Sequence, residues 1–165
     1  MVRLVEVVTE EQLDQVRRLF KEYTESLGFD LDFQDYEKEF AELPGEYSQP
    51  DGQLIVAMQG ERIVGCVALR KFSDKICEMK RLYVQPEFRG RGIGKQLAKA
   101  IITEARKIGY TSMQLDTVPW MKEAITLYKS LGFKEIPPYR YNPIEGALYL
   151  ELILNEYSPK KSKKN

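Results

Sequence analysis

Residues 81–109 read RLYVQPEFRGRGIGKQLAKAIITEARKIG and pass through three local patterns in succession. An apolar run, Leu82-Tyr83-Val84, ends at Pro86, and a glycine-dense turn follows, Arg89-Gly90-Arg91-Gly92-Ile93-Gly94. Beyond it Ile93, Leu97, Ala100, Ile101, Ala105 and Ile108 recur at helical spacing, which predicts a strand, a tight loop and a helix. Such a junction binds anions. The first N–H groups of a helix lack intrahelical partners, and the helix dipole places partial positive charge on them. Glycines allow positive φ and let backbone donors approach a phosphate or pyrophosphate with no Cβ in the way. Arg89, Arg91 and Lys95 add cationic side chains at the same mouth.

On the N-terminal side of this stretch three strand-like runs, 53–58, 63–71 and 76–84, are joined by Gln59-Gly60-Glu61-Arg62 and Phe72-Ser73-Asp74-Lys75, an antiparallel meander whose last strand feeds the loop. Before the meander come a strand at 2–7 and a capping box at Thr9-Glu10-Glu11-Gln12. A helix follows with Leu13, Val16, Phe20, Tyr23 and Leu27 on one stripe, and then a second short helix carries Phe33, Tyr36, Phe40 and Leu43. On the C-terminal side, 111–117 is a strand returning beside 76–84, which completes a right-handed crossover. A helix over 121–131 ends at Gly132, Phe133 begins another strand, and 147–154 closes the sheet. A sheet that is antiparallel before the loop and helix-connected after it is α+β, not a doubly wound dinucleotide fold.

The chain has 165 residues, enough for one domain with a substantial core, here taken as 1–154 with a lysine-rich tail at 155–165. Lys+Arg and Asp+Glu are both 25, so no global charge argues for nucleic acid. No apolar run approaches the ~20 residues of a membrane span, and MVRLVEVV enters a strand pattern without a signal-peptide layout, so a cytoplasmic protein is expected. Cys66 and Cys77 offer no disulfide framework, and without any histidine no metal site is expected.

Three ligand readings compete for the loop. The dinucleotide fingerprint G-x-G-x-x-G fails because Gly90-Arg91-Gly92-Ile93-Gly94 puts the third glycine out of place. The P-loop fails because Gln96 stands where the hydroxyl after Gly94-Lys95 should be. Arg89-Gly90-Arg91-Gly92-Ile93-Gly94, between a strand and a helix, fits Arg/Gln-x-x-Gly-x-Gly/Ala; read alone, it is also compatible with a plain glycine-rich connection with a solvated basic edge. The hexapeptide resembles the coenzyme A pyrophosphate loop of the GNAT superfamily of N-acetyltransferases, and Ala124-Ile125-Thr126-Leu127-Tyr128-Lys129-Ser130-Leu131-Gly132-Phe133 resembles that family's second landmark, Ala-x-x-Leu-Tyr-x-x-x-Gly-Phe. Two landmarks in order are far more specific than one. Met121 departs from the pattern, standing where many members carry an asparagine that contacts coenzyme A. The resemblance implies a mixed, mostly antiparallel sheet of about seven strands flanked by about four helices. It also implies acetyl-CoA as co-substrate and is compatible with a homodimer.

Acyl transfer to an amine sets the candidate residues. The acceptor is an ammonium at neutral pH and must lose a proton before it attacks a thioester. With no histidine the base must be a carboxylate, a tyrosine, a water chain or solvent. The resemblance points to Glu78, which as a buried carboxylate with a raised pKa could take the proton directly or through water; the plainer alternative is a glutamate paired with Lys80 or Arg81. Asp116 is the second candidate. By resemblance the backbone N–H near Leu82 holds the developing oxyanion, Leu82 and Val84 pair with the pantetheine arm, and Arg89, Gly90, Arg91, Gly92, Ile93, Gly94 and Lys95 hold the pyrophosphate. Tyr128 would protonate the leaving thiolate; otherwise it is a core aromatic. Direct attack in a ternary complex is expected, because neither cysteine has a histidine neighbour to make a thiolate.

Tyr23 and Tyr36, on the helical pair that walls the acceptor pocket in this family, and Tyr139 and Arg140, before the last strand, are the substrate candidates. Arg140 could hold a carboxylate bidentately, which favours a small amine or an amino acid. A peptide or protein amine is the other enzymatic acceptor. A coenzyme A-binding regulatory module without turnover would need the loop but neither Tyr128 nor Glu78.

Overall fold

Thr9 and Gln12 cap each other. Thr9 Oγ1 accepts from the Gln12 N–H at 3.0 Å and Gln12 Oε1 accepts from the Thr9 N–H at 3.1 Å, the reciprocal pair that the sequence predicts. A computed structural model describes residues 2–27 and 36–154, with 36 and 37 described by backbone alone. In it, β1 (Arg3–Glu6) leads into α1 (Glu10–Leu27), which buries Leu13, Val16, Leu19 and Phe20. The second predicted helix is α2 (Tyr36–Glu42); Phe33 and the tail at 155–165 lie outside the described residues.

The meander forms as expected, with β2 (Gln53–Gln59), β3 (Arg62–Lys71) and β4 (Ile76–Val84) pairing antiparallel. Helix α3 (Ile93–Ile108) crosses over to β5 (Ser112–Thr117), which runs parallel to β4. After α4 (Lys122–Ser130), β6 (Lys134–Glu135) is only two residues long. The last strand, β7 (Leu148–Ile153), inserts between β5 and β6. The seven-stranded order is β1-β2-β3-β4-β5-β7-β6. The α+β class is correct, and the described residues form the expected seven strands and four helices.

Both faces of the sheet are covered, so β3 reads as a continuous apolar run and not as an alternating one. On one face Val67 and Leu69 pack with Leu97, Ile101 and Ala105 of α3. On the other Cys66 and Ala68 pack with Val16 and Phe20 of α1. Leu97 and Ile101 are fully buried, and each contributes about 1.5–3 kcal/mol by leaving water. No helix among the described residues is long and apolar enough to cross a membrane.

Two irregularities open the middle of this sheet. The β4–β5 ladder holds for Ile76–Ser112, Cys77–Met113 and Glu78–Gln114 and goes no further. Just beyond, β4 carries a bulge: its register against β3 passes from Lys80–Ala68 to Tyr83–Cys66, and Arg81 sits at φ 60°. An extra residue bends and twists its strand. The two strands therefore part as a wedge.

Candidate active site

One side of the wedge is a cleft. Gly92 is the N-cap of α3 at φ 80°, and Gly90 has the same φ, a conformation that side chains rarely adopt. At both positions the space a Cβ would occupy is open. Here the helix begins with N–H groups that have no carbonyl one turn back. It fronts a cleft of about 580 Å³ whose walls include Leu82 and Val84 of β4, Leu27 of α1, and Ala124 and Leu127 of α4. Arg89, Gly90, Gly92, Ile93 and Gly94 complete the turn's side of it. Arg89 also ties the turn to β4, donating from Nε to the Val84 carbonyl at 2.8 Å and lying over the Tyr83 ring at 5.3 Å. Arg91 and Lys95 were expected at this mouth but do not line it. Arg91 is turned onto the Phe88 ring at 5.1 Å, and Lys95 is exposed.

The opposite face of the wedge is ionic. Glu78 is fully buried, with Arg70 Nε at 2.9 Å, Arg140 Nη2 at 2.6 Å and the Tyr139 hydroxyl donating at 2.7 Å. Burial alone would raise this carboxyl, but Lys80, Arg70, Arg140 and the Tyr139 hydrogen bond outweigh it and hold Glu78 below the usual carboxylate range. This corrects the expected raised pKa: Glu78 is an ion-paired carboxylate at neutral pH, poorly suited to take a proton. Its strand is central, and it bonds to Arg70, Arg140 and Tyr139. Arg140 pairs with Glu78 through Nη2, while its Nε is buried without a hydrogen-bond partner among the described residues. Arg81 forks onto Glu39 of α2, with Nε at 2.9 Å and Nη2 at 2.6 Å.

Tyr128 is buried on α4 one turn beyond Ala124 and packs against Phe133. Burial first, then proximity to Tyr23 and Asp116, raises its pKa, so the phenol keeps its proton at neutral pH. Asp116 is held by Asn142 Nδ2 at 3.0 Å.

Residues 13–133 match the model of the acetyltransferase (GNAT) family. The chain belongs to this family. It is 42% identical over 148 residues to an uncharacterized N-acetyltransferase of Schizosaccharomyces pombe, covering 88% of this chain and 91% of that one. An acetyltransferase from Streptococcus agalactiae superposes with a TM-score of 0.77 at 23% identity, covering 93% of this chain and 98% of that one. The PaiA N-acetyltransferase from Thermoplasma acidophilum, solved in complex with coenzyme A, superposes at 0.71 with 18% identity, covering 93% and 99%. As a GNAT protein the chain is an acyltransferase.

Within this GNAT domain, Tyr139 and Arg140 meet Glu78, while Tyr23 and Asp116 act on Tyr128 through their charge. Tyr36 begins α2, but its side chain lies outside the described residues. Met121 lines the cleft. Lys80 was named from the sequence only as a partner of Glu78, and strand alternation places it on the same face. Arg70 and Glu39 were not among the sequence candidates. Nothing local marks Arg70 or Glu39, whose roles come from pairing across the sheet and from α2.

Proposed function

We propose that the chain transfers the acetyl group of acetyl-CoA to a primary amine of a small molecule or amino acid, by direct attack in a ternary complex. The observation that carries this reading is the wedge between β4 and β5, with the glycine-lined cleft on one side and the ionic face on the other. The residues at the α3 N-terminus suit a pyrophosphate: glycines with open space above them, unpaired helix N–H groups and the Arg89 guanidinium. Acetyl-CoA supplies the activated thioester. Leu82 lines the cleft beyond the last β4–β5 pair, which favours its N–H as donor to the oxyanion. Tyr128, protonated at neutral pH, is the acid for the departing sulfur.

The acceptor reaches the same point from the side of Tyr139, Arg140 and Asp116. Once deprotonated, its nitrogen bonds to the carbonyl carbon, the C–S bond breaks, the sulfur takes a proton from Tyr128, and the nitrogen gives up its second proton to leave the neutral amide. Direct attack is favoured over an acyl-enzyme because both cysteines are fully buried and burial raises both thiols, Cys66 to about 12. The test is acetyl-CoA-dependent thiol release across free amino acids, alkylamines, polyamines and short peptides. Turnover of small amines that persists in a Cys66→Ala, Cys77→Ala double variant is expected. Turnover confined to peptides, or lost with the cysteines, would overturn the reading.

A further inference from the structure

The bulge in β4 carries an arginine where glycine is the usual residue. Lys80 pairs with Ala68 and Tyr83 with Cys66, so Arg81 and Leu82 together stand opposite Val67 alone. A bulge whose first residue has positive φ ordinarily places glycine there, because a Cβ is strained in that conformation, yet Arg81 takes the position at φ 60°. Among the described residues it is the one non-glycine with positive φ. Its side chain turns inward, 4% exposed, and forks onto Glu39 of α2, which is itself 13% exposed. A buried, two-pronged ion pair of this kind fixes orientation as well as position.

The peptide that follows Arg81 is aimed by that conformation. Its carbonyl oxygen accepts from Cys66 Sγ at 3.3 Å, so the C=O is directed toward β3. In a trans peptide the N–H points opposite to the C=O, and β5 flanks β4 on the side away from β3, so the Leu82 N–H is directed toward β5. There the ladder has already ended at Glu78–Gln114, and Leu82 lines the cleft. The donor opens into the wedge. Rotation about the Arg81 N–Cα bond would swing the whole peptide, so the positive φ sets where this N–H points. Glu39, which holds the arginine, lies on the ionic side: it lines a cavity of about 280 Å³ together with Arg70 and is not among the described residues of the cleft wall.

We infer that Glu39 is a positioning residue, clamping Arg81 in the bulge conformation that aims the Leu82 N–H at the thioester oxygen. Its role rests on the acetyl transfer proposed above. A residue with a Cβ stays at positive φ only where its surroundings hold it, and here a holding contact comes from α2. Without the carboxylate, Arg81 relaxes toward ordinary negative φ and the donor swings off the oxygen, while the cleft on the other side keeps its shape. Glu39 touches none of the reacting atoms. It acts through Arg81 on one backbone N–H, and it ties helix α2 to the geometry of the transition state.

Glycine supplies the test, since it takes positive φ without a clamp. Thiol-release kcat and calorimetric acetyl-CoA affinity are compared in wild type, Glu39→Ala and two double variants, which add Arg81→Gly or Arg81→Ala to Glu39→Ala. Glu39→Ala should lose about 10- to 100-fold in kcat and bind acetyl-CoA nearly as before. The Arg81→Gly double variant should be at least about ten-fold faster than the Arg81→Ala one, whereas an ion pair that served stability alone would leave the two alike. Glu39→Gln, which keeps the volume and removes the charge, takes the place of Glu39→Ala in every arm if the alanine variant does not fold. The three-bond HN–Hα coupling of residue 81 reads φ by NMR without reference to turnover, and it should leave its wild-type value in Glu39→Ala. A coupling that stays at that value, or double variants of equal kcat, would overturn the role. No thiol release by wild type with any amine would instead defeat the acetyl-transfer reading itself, and Glu39's role with it.

Discussion

At the scale of single residues, Tyr128 and Glu78 separate chemistry from architecture. Tyr128→Phe removes one hydroxyl from a packed ring, so it should lower kcat by about 100-fold with acetyl-CoA affinity nearly unchanged, as steady-state kinetics and calorimetry would read. Glu78 is different. It is buried between two guanidiniums, and Glu78→Ala would take a carboxylate from both, leaving Arg70 only its outer pair with Glu46, which should lower stability by about 3 kcal/mol in urea unfolding. A loss of activity in that variant would then report the fold as much as the reaction. Tyr128 was legible as a candidate because it belongs to a local pattern, Ala124 to Phe133, whose spacing survives in one dimension. The state of Glu78 was not. Its partners come from β3 and from the segment before β7, and only the folded sheet brings them within 3 Å.

At the scale of elements, the turn into α3 and the bulge in β4 make the site. Gly94 tests the turn cleanly, because a Cβ there would make ordinary contacts with Val84 at 3.8 Å and Leu127 at 3.9 Å. Gly94→Ala should therefore keep or raise stability, by up to about 1 kcal/mol, yet weaken acetyl-CoA binding, since the new methyl sits on the cleft wall. Paired denaturation and calorimetry would separate the two effects. The strand, loop and helix of residues 81–109 were readable because periodicity and glycines are local signals. The bulge left no such signal. Arg81 holds its positive φ with a side chain that forks onto Glu39, so its strain is supported by a contact from α2 that no β4 pattern encodes. The two-residue β6 was legible only as a start at Phe133, because its place outside β7 is set by pairing.

For the whole molecule, the sheet separates the cleft from an ionic face, and the ionic face carries the buried charge that makes stability depend on pH. Between pH 7 and 10.5 the unfolded chain holds a proton on Lys80 that the folded chain has lost, so stability should rise with pH across that window. Buried tyrosines act in the opposite sense. Burial raises Tyr23, Tyr47 and Tyr128 above their ordinary 10.0, so above pH 10 the folded state holds the extra protons and stability should fall. Urea midpoints measured from about pH 6 to about pH 11 should pass through a maximum near pH 10, and Lys80→Met should flatten the rise. The acetyl-CoA site is the claim on which the rest depends. Calorimetric titration of the wild-type protein and of Gly92→Asp, which sets a strained, negatively charged side chain at the α3 N-cap, tests it most directly. Tight binding by wild type that vanishes in the variant is predicted; absence of binding by wild type, or equal binding by both, would contradict the account.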